Sequence, residues 1–158
     1  MKKWVMQWLV VVILCGPVIF AQDKPKIAVV PFKNNTGVKD YDGIAVGIGE
    51  SITTVLSGSG KFDFIERIQM DKAIQEQDFQ MTDHVDPKTV QEIGKILGVQ
   101  YMIIGDLQKI KDKFRINARR MRVEDGKLEE AVSVTGIEDE LFDMQDAIAR
   151  KLDERFSP

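Results

Sequence analysis

Two largely apolar runs set the terms for any fold of this chain: Ile27-Ala28-Val29-Val30-Pro31-Phe32, and the stretch from Val99 to Leu107. A strand with one wet face alternates apolar and polar residues, whereas a run without alternation suits a strand buried on both faces. The first run reads as such a strand, with Pro31 near its end because proline withdraws a ladder donor. The second reads as a strand in the centre of a sheet. Between them the period changes. Ile44, Ile48, Ile52 and Val55-Leu56 recur at helical spacing from about Asp42 until Gly58-Ser59-Gly60 stops them. Phe62 to Ile65 is a short strand, and Ile68, Met70, Ala73 and Ile74 mark a helix to about Gln77. Asp86-Pro87 opens the next helix, with an N-cap carboxylate followed by proline at the first helical position, and Gly98 closes it.

Beyond Leu107 the pattern turns to strands of period two. Phe114, Ile116 and Ala118 share one parity while Met121 and Val123 have the other, which predicts a bulge near Arg119-Arg120 that restores the inward face. Glu124-Asp125-Gly126-Lys127 predicts a two-residue Asp-Gly hairpin turn, after which Leu128, Val132 and Val134 face inward. Leu141, Met144, Ile148 and Leu152 form the stripe of a last helix, and Asn34 to Gly37 reads as a turn cluster. The order β-α-β-α-α-β-β-β-α implies an α/β fold: a mixed sheet of about five strands with early crossovers and a final antiparallel meander, packed by helices.

Ahead of this domain stands an export-type leader: Lys2-Lys3, an apolar run from Trp4 to Phe20, then Ala21-Gln22-Asp23. Ala21 is small at the last position, which sets cleavage between Ala21 and Gln22 and a single domain over residues 22–158. Retention as an uncleaved anchor is the rival, although the run falls short of the roughly 20 apolar residues that span a bilayer comfortably. Lipidation at Cys15 is disfavoured by the large Leu14 before it and the apolar residues after it. The expected address is the periplasm, with association with the outer membrane left open.

Charge and cysteine content narrow the function further. Loss of Lys2 and Lys3 takes a net charge of −3 to −5, whereas a nucleic-acid binder needs a basic stripe to neutralise phosphates. Cys15 is the only cysteine and His84 the only histidine, so zinc and thiol chemistry lack ligands. Neither a cofactor nor a metal is expected. No nucleophile elbow, triad histidine or opposed acid pair is legible, and the expectation is a protein that is not an enzyme.

Several stretches in order resemble the CsgG family of curli production and secretion proteins. They are Ala28 to Phe32 with Asn35-Thr36-Gly37; Phe62 to Ile65 running into Glu66-Arg67; Gln75-Glu76-Gln77; Ile93 to Val99; Ile103 to Leu107; and the arginine-bearing hairpin through Asp125 to Leu128. The resemblance spans roughly Ile27 to Gly136 and implies an α/β sandwich, shared with the TolB amino-terminal domain, the FlgO group and the LpoB-type activators of peptidoglycan synthases. It implies envelope or secretion-system proteins as partners, and self-association is compatible with it. Fold alone does not choose among these roles. Pore-forming relatives insert two long hairpins through the outer membrane, each needing roughly 20 residues. Here only Gln108 to Lys113 separate Leu107 from Phe114, and Gly136 runs into the last helix, so neither hairpin fits. The constricting aromatic loop of the family is reduced to Val38 to Asp42, with Tyr41 as its aromatic residue.

Other motifs have structural explanations. Gly43-Ile44-Ala45-Val46-Gly47-Ile48-Gly49 matches neither the dinucleotide fingerprint nor the P-loop, and close helix-to-sheet packing through Gly43 and Gly47 accounts for it. Asp83-His84-Val85-Asp86 reads as a solvated turn whose Asp86 caps a helix, and Glu66-Arg67 as an ion pair or first-turn charge. Arg115, Arg119, Arg120 and Arg122, with Lys109, Lys111 and Lys113, make the meander basic within an acidic domain. An exposed sheet face explains them, and an anionic envelope surface or protein partner is the functional alternative. Tyr41 and these four arginines are the candidate interaction surface.

Overall fold

The computed structural model describes residues 23–76 and 86–156. The leader with its Ala21-Gln22 junction, Gln77 and Asp83-His84-Val85 lie outside the described residues. Among these, strands β1 (Lys26–Val29), β2 (Lys33–Asn35), β3 (Asp63–Phe64), β4 (Tyr101–Ile110), β5 (Lys113–Arg122) and β6 (Leu128–Ile137) alternate with helices α1 (Asp42–Gly58), α2 (Arg67–Glu76), α3 (Pro87–Leu97) and α4 (Leu141–Arg155). The strands form one mixed sheet in the order β3-β1-β4-β5-β6, with β2 also on β4. Pairing is parallel from β3 through β1 and β2 to β4, and antiparallel from β4 to β6.

The first apolar run is divided. Val30 still donates to the Ile103 carbonyl at 2.8 Å, but Pro31 has no N–H and breaks the ladder, so the chain re-enters the sheet as β2. Asn34 and Asn35, read as a turn, therefore lie in a strand. The turn chemistry is real but sits one step later: the Asn34 carboxamide oxygen accepts from the Thr36 N–H at 3.0 Å, and its nitrogen donates to the Val38 carbonyl at 2.7 Å.

Both faces of the sheet are covered, each by a helix pair. α1 and α4 close the larger core, in which Ile48, Ile52, Ile103, Leu107, Phe114, Ile116 and Ile148 are fully buried. α2 and α3 close the smaller one, built on Val30, Met70, Val90, Ile93, Met102, Met121 and Val123. This second layer corrects the expected role of the bulge. The register does slip between Arg119 and Met121, but the extra residue lies in β6, where Glu129 and Glu130 stand opposite Arg120. Met121 and Val123 stay on the face their parity dictates and are buried there by α3. The slip also places Leu128 on that same face, partly exposed rather than inward.

Two family-like glycines have steric reasons. A Cβ on Gly94 would lie 2.6 Å from a Val123 methyl, so its absence lets α3 sit close on β4 and β5. A Cβ on Gly105 would lie 2.2 Å from the Phe32 ring and 2.3 Å from the Asn117 carbonyl, so Phe32 packs flat on bare backbone. The glycines of α1 behave otherwise than expected: Gly43 is exposed with nothing near it, Gly47 faces Gln145 of α4, and Gly49 is the one against β1. α3 begins and ends as read, with Asp86 accepting from the Lys88 N–H at 3.1 Å and Gly98 at φ 64°. Ile68, assigned to the apolar stripe of α2, is 77% exposed, whereas Met70 and Ala73 are buried.

The β4–β5 hairpin turns at Lys111-Asp112, with Lys111 in the left-handed region at φ 58°. β6 passes through a 3-10 turn at Glu138–Glu140 directly into α4. Neither junction has room for a membrane-crossing hairpin, and no helix among the described residues is long and apolar enough to cross a membrane. The β5–β6 connection is longer than a two-residue turn. Arg122 donates to the Lys127 carbonyl at 2.9 Å, closing a loop of Val123 to Gly126, because Val123 leaves the ladder to plug the small core and donates to Gln100 at 2.9 Å. Gly126, at φ 70°, still supplies the positive φ that the loop needs.

Candidate interaction surface

Strand parity divides the sequence-derived candidates into two groups. Odd residues of β5 point away from the larger core and even ones toward it, so Arg115 and Arg119 share one face and Arg120 and Arg122 the other.

Arg120 and Arg122 are occupied within the molecule. The Arg120 guanidinium lies between the rings of Tyr101 and Phe156, 4.8 and 4.6 Å from their centroids, and its Nη2 reaches Glu129 at 3.1 Å. Its Nε is buried with no hydrogen-bond partner among the described residues, so stacking on two rings holds the group in place. Arg122 shares Glu129 at 3.3 Å and donates Nε to Asp125 at 3.2 Å. The Asp125 hydrogen bond holds the Arg122 guanidinium above its ordinary pKa. The Lys127 backbone N–H, then Arg122, lowers the Asp125 carboxyl below its own. These two arginines stabilise the β5–β6 loop.

Tyr41 is also engaged. Its hydroxyl donates to Glu138 at 2.6 Å and accepts from Lys109 Nζ at 2.9 Å, and its ring meets Phe114 edge-on at 4.9 Å. Lys109 stands over both rings, and its hydrogen bond to Tyr41 raises its pKa. The residue read as a remnant of an aromatic loop instead ties the turn before α1 to the turn before α4. Arg67 pairs across the fold with Glu50 of α1 and, at 3.8 Å, with Asp71 one turn along its own helix, so neither partner is Glu66.

Arg115 and Arg119 remain. They project with Lys113 from the part of the sheet that α2 and α3 leave uncovered, and all three are exposed. Sequence reasoning grouped all seven basic residues together; sorting them by parity would have separated Lys113, Arg115 and Arg119 from the rest. Next to α2 an apolar groove of about 250 Å³ runs between α1 and the ends of β1 and β3, where Thr53 and Thr54 turn their hydroxyls onto their own helix. None of the sequence-derived candidates lines it.

The fold recurs in solved structures. It matches the LpoB C-terminal domain from Salmonella enterica with a TM-score of 0.60, 17% identity, and coverage of 73% of this chain and 84% of that one. Lipoprotein GNA1162 from Neisseria meningitidis matches with a TM-score of 0.59 and 15% identity over 84% of this chain and 99% of that one. A PelC dodecamer from Paraburkholderia phytofirmans matches with a TM-score of 0.53 and 14% identity, covering 82% and 87%. Comparison with curated protein sequences finds no match. The model of the curli production assembly/transport component CsgG matches residues 17–109, more than half of the sequence, and the chain belongs to the CsgG family.

Proposed function

We propose that this protein is an exported, non-catalytic CsgG-type domain serving as an adaptor in a bacterial envelope assembly, transport or secretion system. The open sheet face bearing Lys113, Arg115 and Arg119 is its contact surface. One observation carries this reading: the meander is folded back at Lys111-Asp112 and at Glu138–Glu140, so its strands stay in the domain while, among the described residues, the part of one face beyond α2 and α3 is left uncovered. The CsgG match and the leader motif support the envelope address. Self-association belongs to the same reading, since PelC is a dodecamer. A second role, as a regulator of a peptidoglycan synthase or flagellar component, is favoured by the match to most of the LpoB C-terminal domain.

Export is tested by fusing alkaline phosphatase after Pro158, because the reporter is active only outside the cytoplasm. An inactive fusion removes the proposal. A photo-crosslinking residue at Arg115 then separates the roles in cells: capture of a transport or secretion component supports the first, and capture of a wall synthase the second. Light scattering at high concentration decides self-association, and a strict monomer ends that part.

A further inference from the structure

On the bare face three cations stand in line along β5. Lys113 lies between Ile110 and Ile137, Arg115 between Gln108 and Thr135, and Arg119 two residues beyond Asn117. Lys113 and Arg119 have no ion pair or hydrogen bond among the described residues, and Arg115 donates Nε to the Thr135 hydroxyl at 3.2 Å. Asp106, an acid on the same face, accepts from Asn117 at 3.2 Å. The line therefore keeps a net positive charge on a chain of net charge −3.

We propose that this face receives an extended acidic segment of a partner polypeptide, laid along β5 with its carboxylates opposite the three cations. The inference rests on the open face being the contact surface and narrows its partner to one chemistry. Alternate residues of β5 are about 6.8 Å apart, the spacing of alternate side chains in any extended chain, so a strand with Glu or Asp opposite Lys113, Arg115 and Arg119 and an uncharged residue opposite Asn117 and Asp106 keeps step with the line. Asn117 stands in the line between Arg115 and Arg119, and Gln108 and Thr135 flank it, all with uncharged hydrogen-bonding groups. At its outer end Ile110 and Ile137, 68% and 44% exposed, offer an apolar seat on both sides of Lys113. An anionic membrane fits less well: the tip that would meet it carries Asp112, Glu138 and Asp139 beside Lys109 and Lys111, which cancels the charge there. Single exposed pairs are weak and screened by salt, so binding comes from the three cations acting together.

The test uses the full chain and a fluorescein-labelled peptide of alternating threonine and glutamate, with serine in place of the glutamate that would face Asn117, ending in isoleucine and read by fluorescence anisotropy. Saturable binding is expected, weakened at least about tenfold when Arg115→Glu and Arg119→Glu are combined and within about threefold of the parent when both are Lys, as collective, screened charge pairing requires. The lysine variant guards against a folding defect, and Arg67→Gln, elsewhere on the surface, leaves binding intact. Equal binding of the glutamine version of the peptide, insensitivity to charge reversal, or binding only to phosphatidylglycerol vesicles overturns the inference. A benzoylphenylalanine at Ser133 in cells separates the two levels. Cross-linking to a neutral or basic segment removes the acidic partner and leaves the contact surface standing. An exported chain that cross-links to nothing from this face removes the contact surface itself.

Discussion

The helix pair α1–α4 covers the meander as far as Phe114, whereas among the described residues α2–α3 covers its row of Met102 and Met121 and only partly Ile104 in the next. The two faces of β5 therefore impose different rules on the same ten residues. Phe114, Ile116 and Ala118 have no contact with water, while Lys113, Arg115 and Arg119 are exposed. Arg119 and Arg120 make the point most sharply: neighbours in sequence, one is exposed and the other is packed between two aromatic rings. Basic composition thus says little about a binding surface until each residue is assigned to a face.

The widest separation is expected between Phe114→Ala and Arg115→Ala. The first empties a ring-sized space in the larger core and should cost about 3–5 kcal/mol, the second should stay within about 0.5 kcal/mol, both by urea unfolding. Comparable losses would mean that the Arg115 side chain is packed against another part of the chain. A smaller contrast is expected within the adjacent pair. Arg120→Ala removes stacking on Tyr101 and Phe156 and should cost about 1–2 kcal/mol, against about 0.5 or less for Arg119→Ala. Similar values for the two would break the parity argument at its closest point. The smallest effect belongs to the hairpin tip, where Lys111→Gly relieves a positive φ at some cost in chain entropy and should raise stability by about 0.5 kcal/mol in thermal unfolding. A loss there would place the Lys111 side chain in a contact worth more than its backbone strain.

Much of the architecture was legible because it rests on short-range chemistry. Asp86-Pro87 and Gly98 bound α3 through capping and backbone preference that any helix end obeys, and the repeat from Ile48 to Leu56 marks the buried side of α1. What misled the reading was local sense overridden at a distance. Asn34-Asn35 has turn chemistry in its side chains, yet β4 offers its backbone a ladder, and both are satisfied at once. Met121 and Val123 looked out of phase because one buried face was assumed for β5, while α3 supplies a second. Tyr41 showed no sign of its partners, since Glu138 and Lys109 lie far along the chain.

Alone, the order of residues determined which segments extend, which coil, where several of them stop, and that the last three strands are joined to each other and to the final helix by short connections. Those outcomes depend on periodicity, caps and loop length, which act over a few residues. Only the packed molecule decided which arginines are internal and which are free, because a side chain's environment is set by the layer opposite its face, and that layer comes from remote parts of the chain.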